Sequence, residues 1–243
     1  MLSSNFTPKI LCQGTIFTHV GRDPYARDAT YPFNHAPSIV KLPDNRLLTV
    51  WFAGPWEGSH FQCLLGSFSS ENGHTWSPAE VLQKTHDAPD FDPAFIRDGK
   101  RVWLFYSLHR RYAALPPFET GYVGTLVKYT DDNGDTWSVP RMVAAKSGPR
   151  NNGVRLSNGD LLIGNWSEKS CGVLKSRDKG ENWERRGEIP RLNNDEPTIA
   201  ELSNGTILMY LRAGDGYMWK STSEDNGETW APNKRTKIVA ANS

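Results

Sequence analysis

One eight-residue pattern occurs four times and limits what this chain folds into. The copies are Ser69-Ser70-Glu71-Asn72-Gly73-His74-Thr75-Trp76, Thr130-Asp131-Asp132-Asn133-Gly134-Asp135-Thr136-Trp137, Ser176-Arg177-Asp178-Lys179-Gly180-Glu181-Asn182-Trp183 and Ser223-Glu224-Asp225-Asn226-Gly227-Glu228-Thr229-Trp230. Their consensus is Ser/Thr-x-Asp-x-Gly-x-Thr-Trp. The copies follow one another at steps of 61, 46 and 47 residues, which signals a repeat architecture. Each part has a physical job. The hydroxyl and carboxylate accept hydrogen bonds from nearby backbone N–H groups and so make a turn. The Gly supplies a left-handed backbone position. The Trp carries a large apolar surface into a neighbouring layer. The acidic residues read as structural rather than catalytic. They do not alternate as a calcium loop of the helix-loop-helix type requires.

A second feature recurs upstream of each copy. Apolar runs are joined by Pro43-Asp44-Asn45-Arg46, Asp98-Gly99, Asn158-Gly159 and Asn204-Gly205. Asn-Gly and Asp-Gly between apolar runs are strong hairpin signals. Each unit therefore reads as strand, tight turn, strand, strand, repeat turn, strand. No stretch keeps a 3.6-residue apolar period, so almost no helix is expected. The predicted fold class is all-β, a β-propeller of four-stranded antiparallel blades. Residues 1–243 form one domain in this reading, with blades at roughly 31–85, 86–145, 146–190 and 191–243. The apolar run from Ile10 to Val20 is expected to add one strand before a polar loop.

Composition excludes more than it assigns. The 28 basic and 27 acidic residues leave a net charge of +1, so neither nucleic acid nor an anionic membrane is an expected partner. Cys12, Cys63 and Cys171 have no metal-ligand spacing, and their odd number argues against a disulfide scaffold. No metal and no other cofactor is expected. No signal peptide or transmembrane segment stands out, which makes a cytoplasmic location the default expectation. Glycosylation sequons begin at Asn5, Asn165 and Asn204 and matter only in a secreted chain. Nine Trp exceed what the four repeat anchors require, leaving others for the core or for stacking on sugar rings.

In a propeller the innermost strands line the channel, and polar residues at their starts converge at one end. Just before the expected inner strands stand Asn34-His35, Asp90 with Asp92, Arg150-Asn151-Asn152, and Asp195-Glu196. Four units each placing ionisable or amide groups at one mouth read as a binding site. The competing reading is that loop starts are polar anyway.

The repeats resemble the Asp-boxes, or BNR repeats, of the sialidase (neuraminidase) superfamily. That resemblance implies a six-bladed propeller, of which this chain has sequence for about four blades. It is then expected to be C-terminally incomplete, with exposed edges open to self-association. The segment from Glu196 to Arg212 is similar to the sialidase segment that carries two active-site residues. The resemblance makes Glu196 the base partner of a Tyr nucleophile and Arg212 an anion clamp. A carboxylate near a phenol takes its proton, and guanidinium binds carboxylate bidentately. A structural Glu196–Arg212 ion pair is the competing reading. Where sialidases carry Arg-Ile-Pro, this chain has His35-Ala36-Pro37, so an Arg is lost and His35 becomes an acid, base or anion-binding candidate. The family's acid/base Asp corresponds in place to Glu57. Glu57 would serve as general acid if burial against Trp56 disfavoured its charged form; His60 is a second candidate. No residue matches the Tyr nucleophile or the third Arg.

The resulting expectation is an exo-glycosidase that removes a terminal acidic sugar, sialic acid or a relative, from a glycan. Glu196, Glu57 and His35 are the catalytic candidates. Arg212, Arg150, Asn151, Asp92, Asp195 and Trp56 are the substrate-binding candidates. Two alternatives stay open. One is a lyase or hydrolase acting on uronic-acid glycans through His35. The other is a non-catalytic lectin-like propeller.

Overall fold

The computed structural model of the chain describes residues 10, 13–18, 31–70, 73–86, 88–109, 122–190 and 194–240. They form four antiparallel sheets arranged as the blades of a β-propeller, with no α-helix among the described residues. The first blade is β1 (Phe33–Lys41), β2 (Leu47–Gly54), β3 (Cys63–Phe68) and β4 (Glu80–Gln83). The second is β5 (Asp90–Asp98), β6 (Arg101–His109), β7 (Tyr122–Thr130) and β8 (Arg141–Ala145). The third holds β9 (Ser147–Pro149), β10 (Val154–Arg155), β11 (Leu161–Ser167), β12 (Ser170–Ser176) and β13 (Glu184–Pro190). The fourth is β14 (Asn194–Glu201), β15 (Ile207–Ala213), β16 (Tyr217–Ser223) and β17 (Lys234–Val239). Strands follow chain order within each sheet, except that β9 pairs with β11 beside β10.

Three hydrophobic cores lie between successive sheets. Val50 and Phe52 of the first blade meet Phe95 and Leu104 of the second. Ala94 and Phe105 of the second meet Ile163 and Leu174 of the third. Leu162 and Val173 of the third meet Met209 and Leu211 of the fourth. The repeat Trp residues belong to these cores. Trp137 packs into the first, Trp183 into the second and Trp230 into the third, so each of the last three repeats anchors its own blade on the blade before it.

The repeat turns share one hydrogen-bond scheme. Thr130 Oγ1 donates to Asp132 Oδ1 at 2.7 Å and accepts from Gly134 N at 2.9 Å. Asp132 in turn accepts from Thr136 N at 2.9 Å and from Thr136 Oγ1 at 2.6 Å. Ser176, Asp178 and Asn182 repeat the scheme, as do Ser223, Asp225 and Thr229. In the first copy Glu71 and Asn72 lie outside the described residues, and Thr75 Oγ1 donates to Ser70 Oγ at 2.7 Å. The central carboxylates respond. Bonds from Thr136 and Thr130 hold Asp132 down to about 2, and bonds from Asn182 and Ser176 do the same for Asp178. At Asp225 burial opposes the shift, yet the bonds from Thr229 and Ser223 outweigh it and hold the group at about 2.

Two expectations are corrected. Residues 10 and 13–18 form no strand; Phe17 instead lays its ring 5.7 Å from that of Trp51, covering the outer face of β2. The rest of that N-terminal run lies outside the described residues, as do Cys12 and Asn5. The inner strands also begin earlier than predicted, at Phe33, Asp90 and Asn194. Their ladders run through a bulge and resume beyond it, between His35 and Ser38, Phe91 and Ala94, and Asp195 and Thr198. Of the sequons, Asn165 is fully buried and donates to Thr125 Oγ1 at 3.0 Å, while Asn204 is exposed at a hairpin tip.

Gly180 and Gly205 separate two roles of glycine. Both have positive φ, at +89° and +86°. A Cβ at Gly205 meets nothing within 4 Å, whereas at Gly180 it would drive into the Trp103 ring of the preceding blade. Gly205→Ala should therefore cost about 1 kcal/mol from backbone strain alone. Gly180→Ala should cost about 3 kcal/mol, strain plus overpacking. Urea unfolding of the two variants checks the contrast. The carboxylates give a second expectation. Their stabilisation is complete above the unfolded value of about 3.9 and is lost as pH falls through about 2. Asp→Asn at Asp132, Asp178 and Asp225 together should lower the urea midpoint at pH 7 and flatten its fall between about pH 4 and pH 2.

Candidate active site

A bulge recurs in three of the four inner strands. Ala36, Asp92 and Glu196 sit at its equivalent position in the first, second and fourth blades, each directly before a Pro. Their φ angles are 52°, 51° and 49°, a region that non-glycine residues enter at a cost of about 1 kcal/mol. Proline at the next position disfavours the ordinary helical alternative. Such strained, over-determined positions concentrate at functional sites. The third blade lacks the X-Pro bulge. Its inner edge breaks after β9, and Arg150 comes from the break.

Asp92, Arg150, Asp195, Glu196 and Arg212 converge into one ion-pair network drawn from three blades. Arg150 Nη1 donates to Asp92 Oδ1, and Arg150 Nε lies 3.7 Å from Glu196 Oε2. Arg212 Nε lies 3.0 Å from Glu196 Oε2 and 3.3 Å from Asp195 Oδ1. Arg212 and Asp195 are register partners across β14 and β15. The Asp92 side chain is only 8% exposed, and the other four are half-buried.

Burial pushes the Asp92 carboxyl up; Arg150 pulls it back, and the charge of Glu57 adds to the rise. Burial likewise raises Glu196 above the ordinary carboxyl range, against the pull of Arg150 and Arg212. A carboxylate so placed is a proton acceptor tuned toward neutral pH, and the guanidinium groups suit an anionic ligand. Among the described residues no group of three or more His, Cys, Asp or Glu is placed to hold a metal ion.

The other candidates lie around this network. Glu57 and Trp56 stand on the loop between β2 and β3 with both side chains exposed, Trp56 at 59%. The burial against Trp56 that would favour an acid role for Glu57 is not found, because the loop turns both outward. Glu57 still lies within electrostatic reach of Asp92. Asn151 is exposed and makes no hydrogen bond to the network. Its neighbour Asn152 is structural, accepting from Phe95 N at 2.8 Å and donating to Ile39 O at 2.8 Å. His35 packs on Phe33 and Phe52 and lines a separate cavity of about 240 Å³ with Asn34, Thr49 and Trp51. Its Nδ1 is buried with no hydrogen-bond partner.

Sequence reasoning missed the X-Pro bulge, although Ala36-Pro37, Asp92-Pro93 and Glu196-Pro197 display it. It also missed the structural role of Asn152, for which no local signal exists.

A profile of the BNR repeat-like domain matches residues 45–243, most of the chain. A sialidase from Paraclostridium sordellii is 23% identical over 227 residues, covering 80% of this chain and 56% of that protein. An anhydrosialidase from Macrobdella decora is 32% identical over 132 residues, covering 47% of this chain and 17% of its own length. This chain thus spans about half of the first relative and much less of the second. The fold matches that of an intramolecular trans-sialidase from Ruminococcus gnavus at a TM-score of 0.72 and 18% identity, covering 93% of this chain and 74% of the other.

Removing one partner from a buried pair leaves a charge without compensation. Arg150→Met should destabilise the fold by about 3 kcal/mol at pH 7. The loss should shrink on acidification, because a carboxyl whose folded pKa is raised costs nothing below its unfolded value of about 3.9 and destabilises increasingly as pH rises from there to its folded value. Urea titrations of both proteins from pH 7 to pH 4 measure this.

Proposed function

The chain belongs to the BNR repeat-like family of sialidase-type β-propellers, and from that premise we propose that it is a glycoside hydrolase acting on a terminal acidic sugar of a glycan. One observation carries the proposal: Glu196, Arg212, Arg150 and Asp92 converge from three blades at the starts of the inner strands. Sialidase and anhydrosialidase relatives support the choice of sugar class.

The proposed roles follow from charge and reach. Arg212, with Arg150 beside it, binds the substrate carboxylate through charge-assisted hydrogen bonds. Glu196 in its ionised form takes the proton of the attacking hydroxyl, and Arg212 and Arg150 keep it ionised against its burial. Glu57, exposed on the loop between β2 and β3 and within electrostatic reach of Asp92, is assigned to protonate the departing glycosidic oxygen. Asp92 holds Arg150 in place, and Trp56 offers an exposed ring on which a sugar face stacks. Asp195 orients Arg212.

Turnover of a panel of terminal α-sialosides, with products identified by mass, tests the reading. Glu196→Gln should lower kcat by about 10²- to 10⁴-fold while leaving sugar binding in place. Equal turnover by both forms removes Glu196 from the chemistry, and binding without turnover in both forms marks a lectin. The pH dependence is a separate check. With Glu196 as base, the acid limb of kcat/KM should lie above the ordinary Glu value of about 4.3. Arg212→Gln should move that limb to still higher pH, because one of the two charges holding Glu196 ionised is gone.

A further inference from the structure

We infer that Gln62 is a positioning residue that ties the Glu57 loop of the first blade to the inner strand of the second. It thereby sets where Glu57 stands relative to Asp92. The inference rests on the reading of Glu57 as the acid.

Gln62 is fully buried at the end of the loop that joins β2 to β3. Its amide oxygen accepts from Gly58 N at 2.8 Å, the residue directly after Glu57. Its amide nitrogen donates to Asp90 O at 2.7 Å, two residues before Asp92. One side chain therefore links the backbones that carry the two carboxylates, and both links are out of water. The loop below Glu57 is otherwise solid. Ser59 N donates to Trp56 O at 3.2 Å, and Gln62 N donates to Ser59 O at 2.9 Å. Gly58 and Ser59 are buried while Trp56 and Glu57 project outward. Lys84 reinforces the far side, donating to the backbone carbonyls of His60 and, at 2.9 Å, of Thr85. The fit is close on the strand side too, where a Cβ on Gly54 would meet Gln62 Cα at 3.0 Å.

A buried primary amide that satisfies one backbone donor and one backbone acceptor on different blades fixes a separation, which an apolar side chain of equal size does not. Catalytic groups displaced by about 1 Å lose about 10²-fold in rate.

Two substitutions separate positioning from mere packing. Gln62→Met keeps the volume and removes both bonds. Gln62→Glu restores both bonds only when protonated, its O–H donating to Asp90 O and its carbonyl accepting from Gly58 N. The readouts are amide hydrogen exchange of peptides covering residues 55–62 and kcat on α-sialosides, both on the full chain. Gln62→Met should exchange about 10-fold faster in this loop, with peptides from the repeat turns unchanged. Its kcat should fall by about 10²-fold with KM little changed. Relative to wild type at the same pH, Gln62→Glu should regain loop protection and rate as pH falls, whereas Gln62→Met, of like volume but with neither bond, should stay at a constant ratio to wild type. Wild-type exchange in Gln62→Met overturns the inference, as does wild-type kcat there when Glu57→Gln is inactive. Should Gln62→Met not fold, a loop exchange rate in Gln62→Glu whose ratio to wild type at the same pH does not change between pH 7 and pH 4 overturns it equally. Full turnover by Glu57→Gln instead sinks the acid assignment and with it this role of Gln62.

Discussion

Everything in this fold depends on how closely each repeat turn approaches the blade before it. A Cβ on Gly134 would lie 2.7 Å from Phe68 of the first blade, and one on Gly227 would lie 2.7 Å from Leu162 of the third. Gly180 presses on Trp103 of the second in the same way. Three residues further on, Trp137, Trp183 and Trp230 enter the cores of those same interfaces. The turn is thus less a connection within its blade than a clasp between blades. The side-chain scheme around Asp132, Asp178 and Asp225 holds the clasp rigid, because each carboxylate accepts bonds from both ends of its turn.

With the blades packed in this way, charged side chains from three of them meet. Ala36, Asp92 and Glu196 occupy the same step of the same bulge, but only two of them carry charge. The first blade contributes to the mouth through Glu57, which stands on a loop beyond its second strand. The third contributes Arg150 from a break in its inner edge. The outcome is an alternating chain of carboxylates and guanidinium groups in which each charge is held by its neighbours. Such a network adds little to stability, since desolvation offsets most of the attraction. It does orient groups, and its guanidinium groups pull the Asp92 and Glu196 carboxyls back against the rise that burial imposes.

The fold was legible because its signals are local. Asn-Gly and Asp-Gly tips and the Asp-box each specify a turn within eight residues, and repetition multiplies the information. Part of the site was legible for the same reason: Glu196, Asp195 and Arg212 sit on one hairpin, where strand register brings Asp195 opposite Arg212. Arg150 and Asp92 were legible only as polar residues near strand starts, and their pairing was not, because they belong to different blades. Whether Glu57 is buried against Trp56 was not legible, because it depends on the conformation of one loop, pinned by one bond within it and one to the neighbouring blade.

Sequence alone therefore determined the number and kind of repeating units, the turn chemistry and the residue types available at the mouth. These follow from short-range hydrogen bonding and from the periodicity of apolar residues. Tertiary structure decided which charges meet, which are removed from water, and that His35 belongs to an aromatic pocket while Glu57 stays at the surface. Those outcomes depend on distances between blades, set by the fit of glycine against Phe68, Trp103 and Leu162, and no window of sequence contains both sides of that contact.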